Sequence, residues 1–128
     1  MSNVVLDASA LLAALQGEPG EQRVVQAIET GAMISAVNLS EVVAKLSNDG
    51  LSDAEVREAL AAVQVEIEPF EEQSAYDAGF LRVRTKSFGL SLGDRSALAL
   101  ALRLKCPLLT TDRARANLGI GVDVRVIR

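Results

Sequence analysis

The sequence predicts an α/β protein, a three-layer α/β/α sandwich around a central, mostly parallel sheet. Short apolar runs rich in β-branched residues recur along the chain, and stretches with helical periodicity separate them, as in strands joined by crossover helices. Apolar residues make up 49% and aromatics only 3%, so the core must be built from Ala, Leu and Val, which suits close packing of helices on a sheet and disfavours disorder. The 128 residues are one domain's length, spanning 1–128, enough to bury roughly two thirds of the unfolded surface. No repeat, low-complexity tract or linker interrupts them.

The first strand, at most four residues ending at Leu6, stops at Asp7, and an Ala/Leu-rich helix over residues 8–15 follows, closed by Gly17. A second helix at 21–29 puts Val24, Val25 and Ile28 on one face and stops at Gly31. Residues 32–36 are the second strand. The helix at 37–46 turns Leu39, Val42, Val43 and Leu46 inward. Ser52-Asp53-Ala54-Glu55 is a capping box that opens a helix over 52–63, and the two helices form an αα-hairpin. Residues 65–68 alternate and stop at Pro69, which places that strand at or near an edge. A helix at 71–86 ends in Arg82, Arg84 and Lys86, complementing its dipole. A strongly apolar helix at 93–105, a strand at 108–110, one helical turn at 113–117 and an alternating strand at 122–127 complete the chain.

The net charge of −4 hides an asymmetry: residues 1–80 carry three basic residues and fourteen acids, residues 81–128 ten basic residues and three acids. A basic half can steer a polyanion to one face, although solvated helices explain the pattern equally well. There is no His and Cys106 is the only Cys, which excludes a Cys/His zinc site, a His-dependent nucleophile and an internal disulfide. Cys106, beside Pro107, reads as a small core residue. The amino-terminal stretch lacks a basic region and reaches an acid by residue 7, unlike a signal peptide, and the apolar run at 97–102 is far too short to span a membrane. The expected location is the cytosol.

Asp7, Glu41, Asp94 and Asp112 all fall at joints between strands or loops and helices. In open parallel sheets ligands bind beyond the carboxyl ends of the strands, so these acids could form one site. They could equally be caps: Asp7 for the first helix, Glu41 and Asp94 in the boxes Asn38-Leu39-Ser40-Glu41 and Ser91-Leu92-Gly93-Asp94, Asp112 for the last turn, each contributing about 1 kcal/mol. If they do converge, their repulsion calls for a cation, and an oxygen-only ligand set points to Mg²⁺ or Mn²⁺.

The order Val-Leu-Asp7-Ala-Ser9-Ala-Leu-Leu, Asn38-Leu-Ser-Glu41-Val, Leu-Ser91-Leu-Gly93-Asp94-Arg95-Ser-Ala-Leu-Ala and Leu-Leu-Thr110-Thr111-Asp112-Arg113 resembles the PIN-domain ribonucleases, and among them the VapC-type toxins of bacterial type II toxin–antitoxin pairs. The resemblance covers essentially the whole chain. It implies a metal-dependent endoribonuclease whose catalytic acids are Asp7, Glu41, Asp94 and Asp112. Asp7 and Asp94 would bind Mg²⁺ or Mn²⁺ directly, Glu41 would orient water, and Asp112 would hold a second ion or act through water. Hydrolysis would leave a 5′-phosphate and a 3′-hydroxyl. Ser9 and Thr111 are candidates for holding the carboxylates or surrounding waters, with local capping as the alternative. Arg82, Arg84, Lys86, Arg95, Arg113 and Arg115 are candidate RNA contacts, with Arg95 weighted toward packing. So few aromatics leave little base stacking, so RNA shape would set selectivity. The family implies a small antitoxin and a homodimer; the Leu/Val faces of the first helices and the αα-hairpin are candidate surfaces for the antitoxin, with the chain's own core as the alternative.

Two other readings are weaker. A PIN fold used only for RNA or protein binding sits poorly with acids at all four matched positions. A phosphoacceptor signalling domain needs paired acids at the first strand and a Lys after the last, whereas Asp7 stands alone and Lys105 precedes the fourth strand.

Overall fold

The computed structural model describes residues 3–128. Five short strands, β1 (Val4–Leu6), β2 (Ala32–Ser35), β3 (Glu66–Glu68), β4 (Leu108–Thr110) and β5 (Val124–Val126), pair in parallel in the order β3-β2-β1-β4-β5. Between them run α1 (Ala8–Gln16), α2 (Glu21–Thr30), α3 (Ala36–Asn48), α4 (Asp53–Ala61), α5 (Glu72–Arg84) and α6 (Leu92–Leu104).

Strand periodicity explains the three layers. Successive side chains point to opposite faces of a sheet. Val4 and Leu6 therefore join one core cluster and Val5 the other; Ala32 and Ile34 pack with the first, Met33 with the second; Leu109 lies in the first, Leu108 in the second. The first cluster is closed by Leu11, Val24, Val42, Leu46 and Val56 from α1 to α4, the second by Leu81 of α5 and Leu98 and Leu100 of α6. Leu6, Leu11, Ile34 and Leu98 are almost wholly buried, each contributing about 1.5–3 kcal/mol of transfer free energy. Small buried residues (Ala10, Ala13, Ala97, Ala101) let the helices lie close to the sheet. Cys106 is half-buried against the second cluster.

Local chemistry sets most boundaries. Gly17 closes α1 in the left-handed conformation, and Ser52 and Glu55 form the capping box of α4. β3 is an edge strand, as its trailing Pro69 predicts. Two expectations shift. The helix expected at 71–86 ends as α5 at Arg84, where the Thr85 hydroxyl folds back onto the Leu81 carbonyl, and Lys86–Phe88 form a 3-10 turn. Asn38 is not the cap of α3: Ser35 is, its hydroxyl accepting from the Val37 amide, so Asn38 and Glu41 lie inside the helix.

The strand order positions the site. From β1 the chain builds outward through β2 to β3, then returns to the other flank of β1 with β4 and β5. The order thus reverses between β1 and β4, and a crevice opens beyond their carboxyl ends. Asp7 follows β1, and Thr111 and Asp112 follow β4.

Candidate active site

Asp7 is held rigidly. Its Oδ1 accepts the Ala10 amide at 2.9 Å, capping α1, and the Ser9 hydroxyl at 2.6 Å. Ser9 Oγ in turn accepts the Thr111 amide at 3.0 Å and lies 3.4 Å from the Thr110 hydroxyl, which accepts the Asp112 amide at 3.1 Å. A hydrogen-bonded chain thus ties the end of β1 to the end of β4. Asp112 caps the 3-10 turn Arg113–Arg115, accepting the Ala114 amide at 2.9 Å. Ser9 stands where the sequence motif suggests. At the other position the side chain that engages the network belongs to Thr110, fully buried in β4, while Thr111 contributes its backbone N–H.

Glu41 and Asp94 approach from the helical layers. Asn38, one residue-turn earlier on α3, donates its amide to Glu41 Oε1 at 2.9 Å and to the Gly93 carbonyl at 3.0 Å, stitching α3 to the start of α6. Gly93 is required there by space: a Cβ would collide with the Glu41 carboxylate. Asp94 closes the α6 capping box, exchanging bonds with Ser91 at 3.0 and 3.1 Å. In the sequence Asn38 reads only as a helix cap, and Gly93 and Thr110 stand within motifs without a role of their own. A buried polar residue one turn before an acid, and a glycine just before one, were the available signals.

Charge couples the acids across the crevice. Burial raises the Asp7 carboxyl above its ordinary range, opposed by the bonds from Ser9, Thr110 and Ala10, and the Asp94 charge adds to the rise. Glu41 is likewise raised, by desolvation and by the charges of Asp94 and Asp7, against the bond from Asn38. Asp94 and Asp112 share a counter-charge: Arg115 Nη2 lies 3.0 Å from Asp94 Oδ2 and 3.4 Å from Asp112 Oδ2. The capping roles are real for three of the four acids, Asp7, Asp94 and Asp112.

The basic candidates divide. Arg95 donates to the Ala78 carbonyl at 2.8 Å and so bridges α5 and α6 from a half-buried position. Arg84 reaches the Ile120 carbonyl and Arg113 the Arg128 carbonyl. Arg82 and Lys86 are exposed where α5 ends, near the loop that leads into α6 and Asp94. Arg115 is taken up by the acids.

The donor set suits a hard divalent cation: four carboxylates and no softer ligand, two of them, Asp7 and Glu41, with charged forms disfavoured by burial and by the charge of Asp94. Asn38 Oδ1 is buried with no partner beside Glu41. Among the described residues no three of these head groups already converge as a cage for an ion.

The fold and crevice define a class of protein. The PIN-domain family model matches residues 4–120, and the chain belongs to that family. No curated protein sequence matches it. Among solved structures it is similar to a toxin–antitoxin complex from Klebsiella pneumoniae (23% identity, TM-score 0.74, 98% of each chain covered) and to VapBC2 from Rickettsia felis bound to a promoter DNA fragment (15% identity, TM-score 0.76, 98% of each covered). It is also similar to VapC20 from Mycobacterium tuberculosis, a toxin that cleaves the sarcin–ricin loop, at 17% identity and TM-score 0.71, over 94% of this chain and 98% of that one. At these identities the likeness establishes the fold.

Proposed function

We propose that the chain is a single-domain VapC-type toxin, a metal-dependent endoribonuclease that hydrolyses RNA phosphodiester bonds at the crevice of Asp7, Glu41, Asp94 and Asp112 and is neutralised by a small antitoxin. The observation that carries this reading is that acids from three separate segments meet where the strand order reverses: the Asp94 charge acts on both buried Asp7 and Glu41, and the Asp7 charge on Glu41. Family membership and the fold shared with toxin–antitoxin proteins support it.

Asp7, Asp94 and Asp112 would hold Mg²⁺ or Mn²⁺, which lowers the pKa of water and neutralises charge on the phosphoryl group. Ser9 and Thr110 keep Asp7 and the Asp112 backbone from drifting apart. Glu41, its proton affinity increased by desolvation and by the charges of Asp94 and Asp7, orients water and accepts its proton. Arg82 and Lys86 at the end of α5 contribute positive potential beside the crevice, and the backbone-anchored Arg84, Arg95 and Arg113 shape it.

For partners, an open groove between α3 and α4 lined by Leu39, Val43, Val56 and Leu60 supports the αα-hairpin as the antitoxin surface. The exposed Tyr76, Phe80 and Val83 on α5 support a second apolar surface, for a second copy of the chain. No helix among the described residues is long and apolar enough to cross a membrane.

The test is Asp7→Asn and Asp94→Asn assayed on total RNA with Mg²⁺ or Mn²⁺, with and without EDTA, alongside growth on expression. Asn caps a helix about as well as Asp, so these variants remove charge and leave the scaffold capped. Loss of cleavage and of growth arrest in folded variants is expected. Unchanged activity in both would leave a binding module whose acids are caps.

A further inference from the structure

The four acids of the crevice have one basic partner among the described residues, and it comes from the chain itself. Arg115 sits on the 3-10 turn after β4, and a single guanidinium nitrogen reaches both Asp94 and Asp112. Its side chain is 19% exposed, less than either carboxylate at 26% and 47%, so the guanidinium is drawn inward between them. Its Nε is buried with no acceptor. That burial is compensated at the tip of the guanidinium, by the two carboxylates. The neighbouring Arg113 bonds the Arg128 carbonyl and takes no part.

Resting on the metal-dependent reading above, we propose that Arg115 is a built-in counter-ion of the acid crevice: its guanidinium stands between Asp94 and Asp112 in place of a divalent cation and must leave for the cation to bind. A guanidinium brings one charge and five donors but cannot accept the close multi-oxygen coordination that a small hard cation demands. With Arg115 inside, Asp94 Oδ2 is committed to the guanidinium and the Ser91 amide, and the head groups do not form a cage. With Arg115 outside, Asp94 and Asp112 repel one another and a divalent cation gains both. Its partial exposure and short helical turn leave the side chain free to swing out, where its planar fork is suited to an RNA phosphate. Metal loading and substrate binding are then coupled through one side chain, and the metal-free protein is held in a resting state without the antitoxin.

The experiment is calorimetric titration of Mn²⁺ into the purified full chain and into Arg115→Gln and Arg115→Lys. Arg115→Gln should bind Mn²⁺ about tenfold more tightly than the parent, about 1.4 kcal/mol. Its melting temperature should be lower in EDTA and rise further on adding Mn²⁺. Arg115→Lys keeps a charge without the planar fork and should give a smaller gain in affinity; it carries the test alone if circular dichroism finds the Gln variant unfolded. Equal or weaker Mn²⁺ binding in the variants overturns the counter-ion role and leaves the nuclease reading standing. Absence of Mn²⁺ binding in all three overturns both.

Discussion

Gly93→Ala separates the site from the scaffold more cleanly than removing an acid. Gly93 is helical, in the first turn of α6, so Ala adopts its backbone without strain and restricts the unfolded chain, a gain of about 0.4–1 kcal/mol. Against this stands the collision of the new methyl with the Glu41 carboxylate. Glu41 is a long side chain open to solvent and can rotate away, but only by giving up the Asn38 bond at 2.9 Å. A bond to a charged group is worth about 1.5–3 kcal/mol when buried and lies at the low end here. The two terms nearly cancel, so the melting temperature should stay close to that of the parent. Function should not: a catalytic group displaced by about 1 Å can lose about a hundredfold in rate. The assay is initial cleavage rate on total RNA with Mn²⁺, with thermal melts in parallel. Gly79→Ala, on an exposed stretch of α5 where a Cβ meets nothing, serves as the stability control and should melt about 4 °C higher. Parent-like cleavage by a folded Gly93→Ala protein would refute the role given to Glu41.

In EDTA the protein should become more stable as pH falls toward the ordinary carboxyl values of 3.8 and 4.5, because Asp7 and Glu41 have raised values in the fold and their ionisation works against it. Asp49 and Glu55, pulled down by Lys45 and by the Ser52 amide respectively, act in the opposite sense only below that range. Mn²⁺ affinity should fall over the same pH interval as protons compete for the acids, and thermal melts flat with pH would contradict the burial argument. Thr110→Val, nearly isosteric at a fully buried site, strips the acceptor from the Asp112 amide and should cost about 1–3 kcal/mol together with cleavage rate. Undiminished stability in denaturant melts would show that water replaces the hydroxyl.

Much of this molecule was legible in one dimension. Val4–Leu6 and Leu108–Thr110 read as strands because a buried parallel strand is a short unbroken apolar run, and Ser52 with Glu55 read as a helix start because the cap is local. The acids were legible as residues for the same reason: each follows a strand or opens a helix. Asn38 was misread as a cap because its Asn-x-x-Glu spacing fits that device inside a helix as well as at its start. Only the helix's true beginning at Ser35, set by pairing of β2 with β1 and β3, decides between them.

By itself, then, the chain's order of apolar and polar residues determined the layers, the alternation of strand and helix, and an all-oxygen donor set without His or a second Cys. Tertiary structure alone decided which residues meet: that Ser9 meets the side chain of Thr110 but only the backbone of Thr111, that Gly93 makes room for Glu41, and that Arg115, expected on RNA, lies between Asp94 and Asp112. The physical reason is range. Capping and periodicity act within a turn or two of backbone, whereas charge repulsion, steric exclusion and ion pairing depend on distances that only strand order and helix packing establish.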